Sequence, residues 1–413
     1  MGNDNTQKKI IFYLIGIVVM IGLFLFIIKG VKDMFSDQLS DSTTTENTET
    51  DNDLAAQIAA DRATVSTTEM ATEPTTEQKK TVEEFVEETT QELKVEDDVA
   101  APVFLVLPDT VSIKKGNPFY ILDYVGYADD VDKLPELETE GEVDTSNTGS
   151  YPLTLKLTDK AGHTTTGKMV VNVIEQSSSS GNNEDAGNDT SGKPKEDFAT
   201  FVTNYKNDNT SLGIDVSRWQ EDVDYTKVKE AGCDFVIIRI GGFDDGSQYT
   251  DKFYKNNITY AKEAGLKVGI YWHAEENSAE QVKENVDYMM KVLDGEELDF
   301  PIAYDWEDFS HFPKYAMNLH DINHCFETFC NAVRSYGYDA CLYSSRNFLE
   351  KVWTNENQHP VWLANYTSTT GYSGDYYMWQ HSNTGSVPGV MGDVDLNVLY
   401  LDKYKINEKG TDE

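Results

Sequence analysis

Asp305 and Glu307 stand two positions apart at the end of the run Phe300-Pro-Ile-Ala-Tyr-Asp-Trp-Glu307. The apolar stretch after the proline has the composition of a buried strand. On a strand, residues at i and i+2 share a face, so both carboxylates point one way and Trp306 the other. Two acids held together repel, which raises a pKa until one of them keeps its proton near neutral pH. Such a pair supplies what cleavage of a glycosidic bond requires: a proton for the leaving oxygen and a negative charge beside an oxocarbenium-like centre. Asp-x-Glu is also common at solvated loop ends, so its meaning depends on what surrounds it.

The surroundings are ordered. From residue 198 to 413, short apolar strands alternate with helical patterns: Leu212-Gly-Ile-Asp-Val-Ser, Phe235-Val-Ile-Ile-Arg-Ile, Val268-Gly-Ile-Tyr-Trp, the Ile302 strand and Ala340-Cys-Leu-Tyr-Ser-Ser. Helical segments are expected near 225–231, 253–264, 279–293 and 318–336. The last strands, at Pro360-Val-Trp-Leu-Ala, Tyr377-Met-Trp-Gln and Val394-Asp-Leu-Asn, have little helix between them. Repeated βα units predict an α/β domain built on a TIM-like parallel barrel whose last third is modified. In such barrels the chemistry lies at the C-terminal ends of the strands. There the sequence puts Asp215, Asp305, Glu307, Tyr343 and Asp395, with the aromatics Trp219, Tyr271, Trp272, Trp306, Trp362, Tyr366 and Trp379. Aromatic faces beside carboxylates suit sugar rings, although buried tryptophans also serve as packing.

Gly213-Ile-Asp-Val-Ser-Arg-Trp-Gln220, Tyr304-Asp-Trp-Glu307, Trp362-Leu-Ala-Asn-Tyr366, Trp379-Gln380 and Gly392-Asp-Val-Asp-Leu-Asn397 together resemble glycoside hydrolase family 25, the Chalaropsis-type lysozymes. The resemblance covers about 200 residues in the family's order and spacing. It implies a modified (β/α)5(β)3 barrel and an N-acetylmuramidase that cuts the β-1,4 bond between N-acetylmuramic acid and N-acetylglucosamine in peptidoglycan glycan strands, without a cofactor or metal. By position, Glu307 matches the general acid and Asp305 the second carboxylate, which assists the substrate's acetamido group or stabilises positive charge. Asp215 and Asp395 match two further acids, and Tyr271, Tyr343, Trp362, Tyr366 and Gln380 are expected to bind substrate. Trp272-His273-Ala274 departs from the usual aromatic pattern and bears on fine specificity. Chemically, Glu307 among three other acids is expected to stay protonated and Asp305 to stay ionised.

The rest of the chain says where this chemistry works. Acids outnumber bases 72 to 34, a net charge of -38 that disfavours nucleic acid and anionic surfaces. Residues 1–9 read as a short cytoplasmic tail. Residues 10–28 are uninterruptedly apolar and flanked by Lys8, Lys9, Lys29 and Lys32. As a helix they rise about 28 Å, enough for a single transmembrane span. The run lacks an Ala-x-Ala-like exit, so it reads as an uncleaved anchor rather than a signal peptide. Residues 29–100 are rich in Thr, Glu, Asp and Ser and read as a disordered, self-repelling tether. Residues 101–175 alternate in short runs with turns between them, as in a small all-β sandwich. At Asp144-Thr-Ser-Asn-Thr-Gly-Ser-Tyr151 and Thr158-Asp-Lys-Ala-Gly-His163 this stretch resembles the bacterial immunoglobulin-like repeats, which are usually spacers. Residues 176–197 are a Ser/Gly/Asn-rich linker. The expected protein is therefore single-pass, with its catalytic domain outside the cell and facing the wall.

Other chemistries are poorly supported. His320-Asp-Ile-Asn-His324 puts two histidines on one helix face, but Asp stands where a zinc helix has Glu and no third ligand is evident. Ser344-Ser345 lack a nucleophile elbow. Cys233, Cys325, Cys330 and Cys341 form neither a metal spacing nor a disulfide framework and read as buried thiols. The alternatives that remain are a chitinase-like substrate-assisted glycosidase and a non-catalytic wall-binding scaffold. The first normally carries further acids ahead of Asp-x-Glu, and the run from Phe300 to Tyr304 has none. The second is disfavoured by the presence of all four acids.

Overall fold

The computed structural model describes residues 93–175, 195–355 and 357–403. The first β-rich part is β1 (Val103–Val106), β2 (Thr110–Lys114), β3 (Gly126–Ala128), β4 (Glu136–Glu140), β5 (Gly149–Thr158) and β6 (Thr164–Ile174). These make a four-stranded sheet ordered β2-β6-β5-β4 and a two-stranded sheet of β1 and β3. Period-two alternation on β5 and β6 turns Leu153, Leu155, Leu157, Met169, Val171 and Val173 to a shared core.

The second part opens with β7 (Glu196–Asp197) and α1 (Phe198–Tyr205). Then follow β8 (Thr210–Val216), α2 (Tyr225–Glu230), β9 (Phe235–Asp244), β10 (Ser247–Thr250), α3 (Tyr254–Glu263), β11 (Lys267–His273) and α4 (Ala279–Leu293). The chain continues through β12 (Ile302–Asp305), α5 (His311–Tyr315), α6 (Leu319–Ser335), β13 (Ala340–Ser345) and α7 (Arg346–Lys351). It ends with β14 (Val361–Ala364), β15 (Met378–Ser386) and β16 (Val394–Tyr400).

Strands β8, β9 and β11 to β16 close into a barrel, with β8 pairing both β9 and β16. The pairs from β8 through β15 are parallel, whereas β16 runs antiparallel to both neighbours. The five strands followed by helix and three that are not give the expected (β/α)5(β)3 pattern. Alternation along β9 divides the core: Phe235 and Ile237 point into the barrel, while Val236 and Ile238 face the helices. Gly213 has no room for a side chain, because a Cβ there would meet the Phe235 ring at 2.4 Å.

The immunoglobulin-like module is joined to the barrel rather than merely spaced from it. On β1, Phe104 enters the module's core and the next residue, Leu105, enters the apolar layer around the barrel. Asn347 Nδ2 and Lys351 Nζ on α7 donate to the carbonyls of Leu105 and Phe104 at 2.6 and 2.9 Å. Gly126 on β3 faces Phe309, whose ring carbon would lie 2.3 Å from any Cβ placed there. Phe309 is two residues past Glu307, so the module buttresses the segment that carries this acid.

Residues 10–28, the tether up to residue 92, and most of the expected linker lie outside the described residues. Among those that are described, no helix is long and apolar enough to cross a membrane.

Candidate active site

The barrel's topology brings the acids together. Asp215 lies near the C-terminal end of β8, and Asp305 ends β12 with Glu307 just beyond. Because β16 is antiparallel, its first residues, not its last, reach the same rim, and Asp395 falls directly opposite Asp215. Register on the other strands pairs Asp305 with Tyr343, Tyr343 with Trp362, and Ala364 with Gln380. The result is a cleft of about 180 Å³ lined by Asp215, Tyr271, Asp305, Glu307, Tyr343, Trp362, Tyr366, Gln380, Asn383 and Asp395. All nine residues singled out from the sequence border it. A larger cavity, about 660 Å³, lies along the seam between module and barrel, away from these acids.

A chain of hydrogen bonds sets the roles within the cleft. Tyr343 and Tyr366 each donate to Gln380 Oε1 at 2.8 Å. This fixes the amide so that Gln380 Nε2 donates to Asp215 Oδ2 at 2.9 Å. Asn397 Nδ2 donates to the same oxygen at 2.7 Å, and its own Oδ1 accepts from Trp362 Nε1 at 2.9 Å. Burial pushes Asp215 up to about 6, against these two amides and a hydrogen bond from Asp395. Burial and the Asp215 charge push Asp395 well above the usual carboxylate range, so Asp395 is the proton carrier of this pair.

The other pair divides differently. Asp305 is buried, and its Oδ1 has no hydrogen-bond partner among the described residues. Burial, then Glu307 and Asp215, push it well above the usual range, while Arg239 pulls it down. Glu307 is exposed at the cleft mouth but ringed by protein on its inner side. Burial of that side, then Asp215, push it up to about 7. Both carboxyls are raised, so the pair keeps a proton at neutral pH. Asp305, expected from the sequence to stay ionised, is the deeper of the two, and burial opposes its charge.

The aromatics separate by strand face. Tyr271, Trp362 and Tyr366 line the cleft. Trp272, Trp306 and Trp379, grouped with them in the sequence, are buried outside it. Trp272 donates to Glu276 at 2.7 Å, Trp306 packs on Phe312, Phe348 and Trp353, and Trp379 donates to the Asn365 carbonyl at 2.8 Å. Period two explains the first pair, since each neighbours an inward residue. Trp219 is 72% exposed, with the Arg218 guanidinium 5.1 Å from its ring centre. Asp393 also lies outside the cleft, paired with Lys195 at 2.8 Å.

Sequence reasoning missed Asn383 in the lining, and Arg239 and Asn397, which act on Asp305 and Asp215. Asn397 stood inside the quoted Asp-Leu-Asn motif, two residues after Asp395 on the same strand face, and that spacing was the available signal. His320 and His324 are both on α6, and the acid and histidine groupings close enough to share an ion among the described residues do not include them. Ser345 caps α7 by accepting from Phe348 N, and Ser344 Oγ accepts from Trp353 Nε1 at 2.9 Å. All four cysteines are free and buried.

Residues 214–390, which contain the acids at 215, 305 and 307, match the family model of glycosyl hydrolases family 25. Over this stretch the chain is similar to the family 25 glycosyl hydrolases. Residues 108–173 match the Ig-like domain of bacterial surface proteins. The autolytic lysozyme of Clostridium acetobutylicum is 30% identical over 187 residues, 45% of this chain and 54% of that one. Lysozyme M1 of Streptomyces globisporus is 29% identical over 206 residues, 45% of this chain and 66% of that one. The chain thus spans about half to two thirds of the length of these two relatives. Among solved structures, the bacterial lysozyme from Streptomyces coelicolor matches 46% of this chain and 92% of its own, with 24% identity and a TM-score of 0.39. Asp395 lies beyond the end of the family 25 match and belongs to the cleft by its position on β16.

Proposed function

We propose that this chain is a membrane-anchored N-acetylmuramidase, a peptidoglycan hydrolase cutting the glycan between N-acetylmuramic acid and N-acetylglucosamine. One observation carries the reading: four acids from three separate strands converge on a single cleft, with an exposed Glu307 pushed up to about 7 at its mouth and a buried Asp305 behind it. The similarity to two lysozymes supports the wall glycan as substrate.

Glu307 donates its proton to the leaving oxygen. The Asp305 oxygen without a partner meets the substrate's acetamido group. As positive charge develops at the sugar, the Asp305 anion is favoured, and the pair's proton is left with Glu307. Asp215, held by Gln380 and Asn397, adds negative charge below the ring, while Tyr271 and Trp362 offer it apolar faces. Digestion of purified peptidoglycan by the intact chain, beside soluble chitin as a control, tests the reading; release from the wall glycan alone is the expected result.

The pH profile follows from the same groups. Glu307 works protonated and is pushed up to about 7, so hydrolysis falls as the pH rises past that value, by about tenfold per unit beyond it. Asp215 works ionised and is pushed up to about 6, so activity also falls below that. A rate that stays flat from pH 5 to 9 contradicts this assignment.

The apolar run 10–28 supports an anchor, with residues 29–100 as the reach between membrane and wall. Full-length chain is expected in the membrane fraction, resistant to carbonate extraction and open to protease added outside the cell. Recovery of that chain in the soluble fraction contradicts the anchor.

A further inference from the structure

Outside the cleft, the strongest concentration of unused chemistry lies where the immunoglobulin-like module meets the barrel. Asp98 precedes β1, and Asp129 and Asp130 follow β3. Their carboxylate oxygens come within 4.8 Å of one another. Asp159 and His163, at the turn after β5, form a second such group with Asp98. Asp98 and Asp129 are 7% and 1% exposed, and Asp130 is half-buried.

Several of these carboxylate oxygens are buried without a donor. Both oxygens of Asp98, Oδ2 of Asp129 and Oδ1 of Asp130 have no hydrogen-bond donor among the described residues. The cations nearby are committed elsewhere: Lys160 Nζ to Asp132 at 2.8 Å, and Lys133 Nζ to Asp321 at 2.9 Å. His163 Nδ1 lies 3.1 Å from Asp159 and 3.6 Å from Asp98, and it belongs to the group with Asp159 rather than to that with Asp129 and Asp130. Buried carboxylates without a counter-charge are costly, so a cluster of this kind calls for a cation.

We propose that Asp98, Asp129 and Asp130 bind a calcium ion at the seam between the module and the barrel. Three carboxylates, bidentate or completed by water, supply the six to eight hard oxygens that calcium takes at 2.3–2.6 Å. Oxygens that all lie within 4.8 Å of one another can be reached by one ion about 2.4 Å from each, whereas magnesium demands near-ideal octahedral geometry and gives up its waters reluctantly. Zinc would want more nitrogen or sulfur than one histidine provides. The half-buried Asp130 leaves an entry from solvent.

The ion would order the loop that holds the seam. Asp129 Oδ1 accepts from the amides of Val131 and Asp132 at 3.0 and 2.6 Å. Its carbonyl accepts from Leu319 N at 2.7 Å, and the Val131 carbonyl accepts from Asn318 Nδ2 at 2.7 Å, at the start of α6. Calcium thus fastens the module to the helix that follows the Glu307 segment. The three ligands come from stretches some thirty residues apart, which is why the sequence presented no metal motif.

The test uses the intact chain stripped with EDTA, titrated with calcium chloride alone in a calorimeter and melted with and without it, beside magnesium chloride. One site per chain is expected, with Tm raised roughly 5–10 °C at about 100-fold excess over the dissociation constant, and a smaller response to magnesium. Asp98→Asn is expected to lose both responses yet melt no lower than the unmodified chain in EDTA, because it removes a buried unpaired charge. Glu138→Gln, an exposed acid, is expected to keep both. Should Asp98→Asn fail to fold, Asp130→Asn carries the same comparison. Absence of heat and of a Tm shift in the unmodified chain overturns the proposal. Retention of both in the Asp98 or Asp130 variants overturns it too, since the ion would then sit elsewhere on this acidic chain.

Discussion

Glu307→Gln is expected to lower peptidoglycan hydrolysis by at least about a thousandfold while leaving thermal stability unchanged. A thousandfold corresponds to about 4 kcal/mol of barrier, within what one positioned proton donor supplies when no other group can replace it. No other group in the cleft is placed to do so. Asp305 is buried behind it, and Asp395 is engaged with Asp215 across the β8–β16 pair. Glutamine keeps the shape and the hydrogen-bonding amide but carries no acidic proton. Stability is expected to hold because Glu307 is exposed at the mouth and outside the packed core. Initial rates on purified peptidoglycan together with a melting curve check both halves. A variant with a tenth or more of the original rate would remove Glu307 from the role assigned to it.

Asp305→Asn separates function from stability by moving them in opposite directions. Hydrolysis is expected to fall by about a hundredfold or more, because the developing positive charge and the acetamido group lose their anionic partner. The melting temperature is expected to rise. Asp305 is a buried carboxyl whose Oδ1 has no partner among the described residues, and its ionised form is opposed by burial, Glu307 and Asp215. Since its folded pKa is raised, Asp305 favours the fold while protonated, and that contribution is lost as the pH rises through the raised value. Asparagine removes the loss, so the stabilisation should grow with pH. A variant that loses activity and melts lower would indicate a structural role for the carboxylate instead.

Much of this was legible from spacing. Barrel strands advertise themselves as apolar runs because both faces are covered, one by the interior and one by helices, as β9 illustrates with Phe235 and Ile237 inside and Val236 and Ile238 outside. The acids at strand ends followed from topology. Three kinds of feature did not. The first is short polar structure: β10 is Ser-Gln-Tyr-Thr, and its hairpin was signalled only by Asp245-Gly246, both at positive φ (50° and 76°) as a two-residue turn demands. The second is the face of its strand that a tryptophan takes, which put Trp379 in packing and Trp362 in the cleft. The third is long-range docking. Nothing local to Leu105 says that it belongs to another domain's core, because alternation reports which residues are buried and not what buries them. The depth of Asp305 was not legible for a related reason: sequence spacing gives proximity, while depth, which decides the desolvation, comes only with coordinates.

Cleavage of the wall glycan after N-acetylmuramic acid is the activity proposed for the cleft. The most direct measurement digests purified peptidoglycan with the intact chain, reduces the products with borohydride and identifies the new reducing-end sugar by mass spectrometry. Reduced N-acetylmuramic acid at the new ends, absent from the Glu307→Gln digest, is the predicted result. Reduced N-acetylglucosamine at those ends, or no new ends at all, would contradict it.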